Sequence, residues 1–467
     1  MAAPPSRTPP GTPRRGGVRR TALALVVVTG LLPATACGGV GFADDDTTFV
    51  TMGFGLGDAL ASVRMDEARR ALTGVRVQVN EGAFDEQQFL SAVAADDPPD
   101  VVRMDRALIG GYAARGALLP LTECLRREKV DLDQYRRQAI DEASLNGTVY
   151  GLPDSYDNRM LLINGRALRE AGHQPSDVDT SDWKGLRKLA REVHRSRNGK
   201  LSRIGFDPKI PEFFPLWVRA NGGSLISEDG RTARLNSPEV VEALEYTTQL
   251  IEAQGGWGGF KALRDSFDQF GANNQFVRNQ VGAYPMEDWY VNVLADVSPQ
   301  VDLHTVPFRG RDGEPLNYVT GFAWAIPKGS PHPEEACTFV TTMTAADTWV
   351  KAAKVKARDI RADGSPYIGD FTGNIVADKR IHEEIWRPTD SPAFDQAARQ
   401  LYAAQDDAFH VPANAAGTEF RRAWQAAVNR VLSGDQSPKE ALDQAQRQAQ
   451  SALDLAASKT DATQDGR

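Results

Sequence analysis

From Thr47 onward the chain alternates short apolar runs with amphipathic stretches. TTFVTMGFG reads as a strand entering a glycine-rich turn, and DALASVRMDEARRAL repeats its apolar residues at helical spacing. VRVQVN alternates with a period of two, FLSAVAAD is helical, and PDVVRMD is a short buried strand ended by Asp105. Such alternation of β and α units predicts a mainly parallel sheet covered by helices. In sheets of that kind ligands bind beyond the carboxyl ends of the strands. Gly53, Gly55, Gly57 and Asp105 all fall at such ends.

The middle of the chain is richer in helix. SDWKGLRKLAREVHR has helical spacing, and Ser237-Pro238 supplies an N-cap followed by proline at the first helical position. NQVGAYPMEDW predicts a strand over 281–284 that delivers Met286, Glu287, Asp288 and Trp289 to an edge, and GFAWAIPKGS predicts another strand. Near the C-terminus Phe420, Trp424, Val428 and Val431 share a helix face, and Ser437-Pro438-Lys439-Glu440 is a capping box that opens the last helix. The closing residues 457–467 read as a frayed tail. One stretch is at odds with its surroundings. In GLPDSYDNRMLLING the apolar run 160–163 reads as a buried strand, yet two acids, a tyrosine, an asparagine and an arginine crowd its entrance.

Length and charge narrow the setting. At 467 residues the chain exceeds what one core usually fills, so two or more lobes are expected. The first 36 residues hold five arginines and no acid; without them the balance is 49 basic against 62 acidic residues, a net charge of −13. So acidic a body excludes nucleic acid as a partner. Arg14, Arg15, Arg19 and Arg20 precede the apolar core TALALVVVTGLL, and small residues then lead to Cys37, the organisation of a secretory signal over 1–36. The segment ATAC resembles a bacterial lipoprotein box with Cys37 as the acylated residue, although Ala34 stands where leucine is usual. Export by the general or the twin-arginine route stays open. Cys124 and Cys337 are left either as a disulfide or as buried thiols. The six histidines are scattered, nothing has metal-ligand spacing, and no cofactor is implied.

Six segments, in order, resemble the extracellular solute-binding proteins of bacterial ABC importers, of the maltose-binding-like sugar family. They are YGLPDSYDNRMLLINGRALREAG, LWVRANGGSL, LNSPEVVEALEY, NQVGAYPMEDW, GFAWAIPKGSPHPEEACTFV and AVNRVLSGDQSPKEALDQAQ. The resemblance implies a type II periplasmic-binding-protein-like α/β fold: two lobes, three chain crossings, and a ligand cleft at the seam. It places a tether at 37–47, the first lobe at 48–157 and 322–400, and the second at 158–321 and 401–456. It also implies a carbohydrate ligand, delivery to the transmembrane permease subunits, a monomer, and an extracytoplasmic position held by a lipid anchor. No enzymatic activity follows from it.

A sugar presents hydroxyl groups around a ring with apolar C–H faces, so its site needs carboxylates and aromatic planes. The carboxylate candidates are Asp105, Asp157 and Glu287, with Asp288 as an alternative to Glu287 and Arg159 as an orienter of Asp157. The platform candidates are Trp217, Trp289 and Trp324, beside Gly321 at the second crossing; Arg358 aligns with a family arginine near the cleft. Two rivals remain. Paired acids beside aromatics also serve glycoside hydrolysis, and a surface lipoprotein could sense a sugar instead of importing it.

Overall fold

The computed structural model describes residues 47–464, so the signal segment and Cys37 lie outside the described residues. Two five-stranded sheets organise the chain. The first has the order Arg76–Asn80, Thr48–Met52, Val101–Asp105, Phe322–Ala325, Gly151–Pro153. The second has the order Leu303–Val306, Arg159–Asn164, Val281–Glu287, Lys200–Phe206, Arg195–Arg197. Every residue of Thr48–Met52 and of Arg159–Asn164 is buried, because helices cover both faces of each central strand. The outermost strand of the second sheet is Arg-Ser-Arg and fully exposed, a charged edge that discourages pairing with another chain.

The sheets are mixed where mainly parallel ones were expected. Thr48–Met52 pairs in parallel with both its neighbours, but Phe322–Ala325 runs antiparallel to Val101–Asp105 and to Gly151–Pro153. In the second sheet Val281–Glu287 is parallel to Lys200–Phe206 and antiparallel to Arg159–Asn164. The reason is topological. A strand that enters a sheet straight from the other lobe starts at the carboxyl edge of the parallel strands, so it must run back against them.

Each lobe has its own core. In the first, Phe49, Met65, Val101, Trp324 and Phe339 pack on one face of the sheet, and Phe89, Met104, Ile109 and Tyr112 on the other. The question left open by the cysteines is settled here: Cys124 and Cys337 form a disulfide within this lobe, joining the helices Thr122–Arg127 and Pro333–Thr344. The second core gathers Leu162, Ile204, Trp217, Leu244 and Val291 with Phe420, Trp424, Val428 and Val431 of the helix Gly417–Leu432. That helix pairs with Pro438–Gln464, whose start carries the expected capping box: Ser437 N donates to Glu440 Oε2 at 3.1 Å. The last helix runs to Gln464, and neither glycine nor proline interrupts it.

Three segments lie side by side at the joint. Asp157 bridges Thr320, Tyr318 pairs with Phe409, and Val319 N donates to Phe409 O at 2.9 Å. Buried Asn317 stitches all three: its Oδ1 accepts from Arg159 N at 2.8 Å, and its Nδ2 donates to Asn158 Oδ1 and Ala404 O, both at 2.8 Å. The crowded entrance to the apolar run 160–163 is thus the hydrogen-bonded joint of the molecule.

Candidate ligand-binding cleft

Strand register places the candidate groups along one line. Asp105 ends its strand opposite Phe322, Gly321 follows Thr320, Thr320 faces Asp157, and Arg159 lies opposite Glu287. The line therefore runs from the carboxyl edge of one sheet, through the joint, to the carboxyl edge of the other. Charges of both signs occupy it. Arg159, buried, donates from Nη2 to Glu287 Oε1 at 3.0 Å and Thr320 Oγ1 at 2.8 Å, and from Nη1 to the carbonyls of Asp157 at 2.7 Å and Tyr318 at 3.2 Å. Its plane lies 5.0 Å from the ring centres of both Phe213 and Tyr318, and its Nε has no protein partner among the described residues. Glu287 keeps 22% of its side chain exposed and Asp105 keeps 32%, enough to meet a solute.

Burial sets the electrostatics. It pushes the Asp157 carboxyl up to about 6, against the pull of the Arg159 guanidinium and with the help of the Glu287 carboxylate. Asp288 is buried outright; desolvation, then the charge of Asp157, raises it well above the usual carboxylate range, while its Oδ2 accepts from Asn158 N at 2.9 Å and Nδ2 at 2.8 Å. Asp288 therefore braces the joint and Glu287 is the solvent-reaching member of the pair. Trp289 follows directly, partly buried at the start of the helix Trp289–Val297.

Four expected ligand residues are placed elsewhere or otherwise engaged. Trp217 is fully buried in the second core, its Nε1 donating to Pro208 O at 2.8 Å among Phe206, Phe308 and Tyr246. Trp324 is fully buried in the first core, where strand alternation turns it inward against Phe54 and Phe339 and its Nε1 donates to Asp154. Neither offers a face to a solute. Arg358 lies on the exposed side of the helix Ala346–Ala362, held by the neighbouring Asp359 at 2.8 Å, and joins no cleft group. Gly321 is buried with φ +149°; a Cβ there would strike the Arg106 guanidinium and the Ser155 carbonyl, so the glycine lets two crossings touch. Gly53, φ +82°, does the same where its strand passes the carbonyl of Arg103. Gly55 and Gly57 have no such close neighbour, and the turn is held instead by Glu81 Oε2, which accepts from Leu56 N at 3.0 Å.

Sequence reasoning missed two cations. Arg421 of the helix Gly417–Leu432 donates to Asp105 Oδ2 at 2.6 Å, leaving Asp105 Oδ1 to cap Ala107 N. Lys356 pairs with Asp370, and the charges of Asp58 and Asp288 add to that field. Only their partners, 316 residues away for Arg421 and 14 for Lys356, distinguish these side chains from solvated lysines and arginines. A hollow of about 2060 Å³ lies apart from this line of residues: it is walled by residues 137–149 and 222–234 around the segment 408–415, and contains none of Asp105, Asp157, Glu287 and Trp289. Among the described residues no group of three or more His, Cys, Asp or Glu is placed to hold a metal. The cleft can therefore offer hydroxyl groups charge-assisted acceptors and donors beside an aromatic plane.

Comparison with known proteins agrees with this architecture. The family model for bacterial extracellular solute-binding proteins matches residues 65–358. The chain is 21% identical over 263 residues to the arabinooligosaccharide-binding protein of Bacillus subtilis, covering 56% of this chain and 59% of that relative's length. In fold it is similar to CpMnBP1 with mannotriose bound, with TM-score 0.71 and 23% identity over 86% of this chain and all of that one. It is also similar to the ABC substrate-binding protein Lmo0181 of Listeria monocytogenes in complex with cycloalternan, with TM-score 0.70 and 20% identity over 88% and 99% of the two chains.

Proposed function

Since the chain belongs to the bacterial extracellular solute-binding protein family, we propose that it is the capture subunit of an ABC importer, taking a di- or oligosaccharide into the cleft between its lobes. The observation that carries the reading is the line of Asp105, Asp157, Arg159 and Glu287 at the meeting edges of two sheets, with Trp289 beside it. Carboxylates and guanidinium groups there pair with sugar hydroxyls, and the indole covers an apolar ring face. Closure of the lobes about the three crossings then brings both walls onto the ligand, whose preference for the closed state supplies the energy of the change. The closed form hands its sugar intact to the permease subunits, with no chemistry on the glycosidic bond. Cys37 carries the lipid that anchors the protein on the outer face of the membrane.

The test is a thermal-shift screen of the chain from residue 37 against sugars, polyols and glycerophosphodiesters. A ligand that binds the folded state raises the melting temperature by mass action. Asp157→Asn and Trp289→Ala are expected to abolish the shift given by the best sugar. Equal shifts in wild type and both variants would reject this site.

A further inference from the structure

One aromatic side chain beside the cleft has no role in the reading above. Phe270 is 52% exposed, in a protein whose other phenylalanines are mostly buried. Its ring lies nearly parallel to that of Trp289, at an interplanar angle of 16° with the centroids 5.9 Å apart. Rings in face contact sit closer than that when directly superposed, so the two are displaced sideways into a stepped platform, the offset arrangement aromatic pairs favour.

The platform is rigid at its base. Phe270 tops a loop whose buried Asn274 donates to Gly271 O at 3.2 Å and Ser298 Oγ at 2.9 Å, while its Oδ1 accepts from Phe276 N at 3.1 Å and Val277 N at 3.2 Å. Gln275 adds bonds of 2.8 Å to the hydroxyls of Tyr284 and Tyr290. Asp268, Gln269 and Asn273, polar residues able to meet hydroxyl groups, flank Phe270 in the sequence. A ring half in water buries only part of its apolar surface, and the loop holds it beside Trp289.

We infer that Phe270 forms an outer subsite which stacks the second or third ring of a linear oligosaccharide whose inner ring lies on Trp289. This rests on the carbohydrate reading of the cleft and sharpens it from sugars in general to chains of linked rings. Phe270 thereby sets the preference for length.

Calorimetric titration with mannose, mannobiose and mannotriose, and with glucose, maltose and maltotriose, tests it on wild type, Phe270→Ala and Phe270→Trp. Wild type is expected to bind one trisaccharide more tightly than its monosaccharide. Phe270→Ala lowers that ratio of affinities about fivefold, the loss of one stacking contact, and Phe270→Trp restores it. Melting temperatures within about 2 °C of wild type show that the variants fold, as substitution of an exposed side chain should allow. A wild-type ratio near one, or an unchanged ratio in Phe270→Ala, overturns the outer subsite while leaving sugar capture standing. Failure of wild type to bind any of the six sugars removes the carbohydrate reading and the subsite with it.

Discussion

Replacing Arg159 by methionine keeps much of the side-chain volume and removes the charge on which the joint is organised. The guanidinium makes two hydrogen bonds to side chains, Glu287 and Thr320, and two to the main-chain carbonyls of Asp157 and Tyr318. A hydrogen bond to a charged group contributes about 1.5–3 kcal/mol net. The four cannot be summed, because they share one cation and loosen together. Breaking a buried ion pair from one side costs about 3–5 kcal/mol, since the remaining carboxylate is left uncompensated. That range fits here: Arg159 is 4% exposed, and Asp157 and Glu287 both lose their nearest positive charge. Spread over lobes of roughly 200 residues, where each kcal/mol moves the midpoint by about 2–4 °C, Arg159→Met should melt about 10 °C below wild type. Arg159→Lys, which keeps the charge but not the planar fork, should fall between them. Differential scanning calorimetry of the unliganded protein reads the shift, and the same scans with a bound sugar should show the ligand increment gone from Arg159→Met. A midpoint within about 2 °C of wild type, with the ligand increment intact, would refute the assignment of Arg159 as the centre of the joint.

Cys124→Ser opens a disulfide that spans 213 residues; loop-closure entropy puts the upper bound near 5 kcal/mol, so urea unfolding should lose about 2–5 kcal/mol. Because both cysteines belong to one lobe, the sugar dissociation constant should stay within about twofold, and a tenfold change would show that the bridge reaches the cleft. The raised acids give a pH dependence of defined sign. In the folded state Asp157 is pushed up to about 6 and Glu142 to about 7 by burial, so between pH 4 and 6 the folded chain holds protons the unfolded chain has lost. Their contribution is fully present below the unfolded carboxylate value and is lost as pH rises through about 6 for Asp157 and about 7 for Glu142. Urea unfolding should therefore show Asp157 alone favouring pH 5 over pH 7.5 by about 1 kcal/mol, and Asp157→Asn should flatten the profile by that amount; an identical slope in the variant would place the titration elsewhere.

The local signals proved sufficient for the elements. Runs such as FVTM and MLLI became fully buried strands, and the capping residues Ser437 and Glu440 met as their spacing required. The candidate line was partly legible too, because strand ends are visible in sequence and Asp105, Asp157 and Glu287 sit at them. Tryptophans were the weak point. Trp324 occupies a strand whose alternation is compatible with either face, and the partner that fixed it, Asp154, lies 170 residues away.

What the sequence determined by itself is therefore the periodic content: which segments are strands and which are helices, since those depend on neighbours within a turn or a pleat. The tertiary structure decided the rest. Arg421 meets Asp105 across 316 positions, the cysteines join across 213, and Lys356 turns inward to Asp370 while Arg358, two residues on, turns to water. Pairings of that kind leave no periodic trace, because they arise only when separate segments fold into one core or meet at the joint and come within a few ångströms.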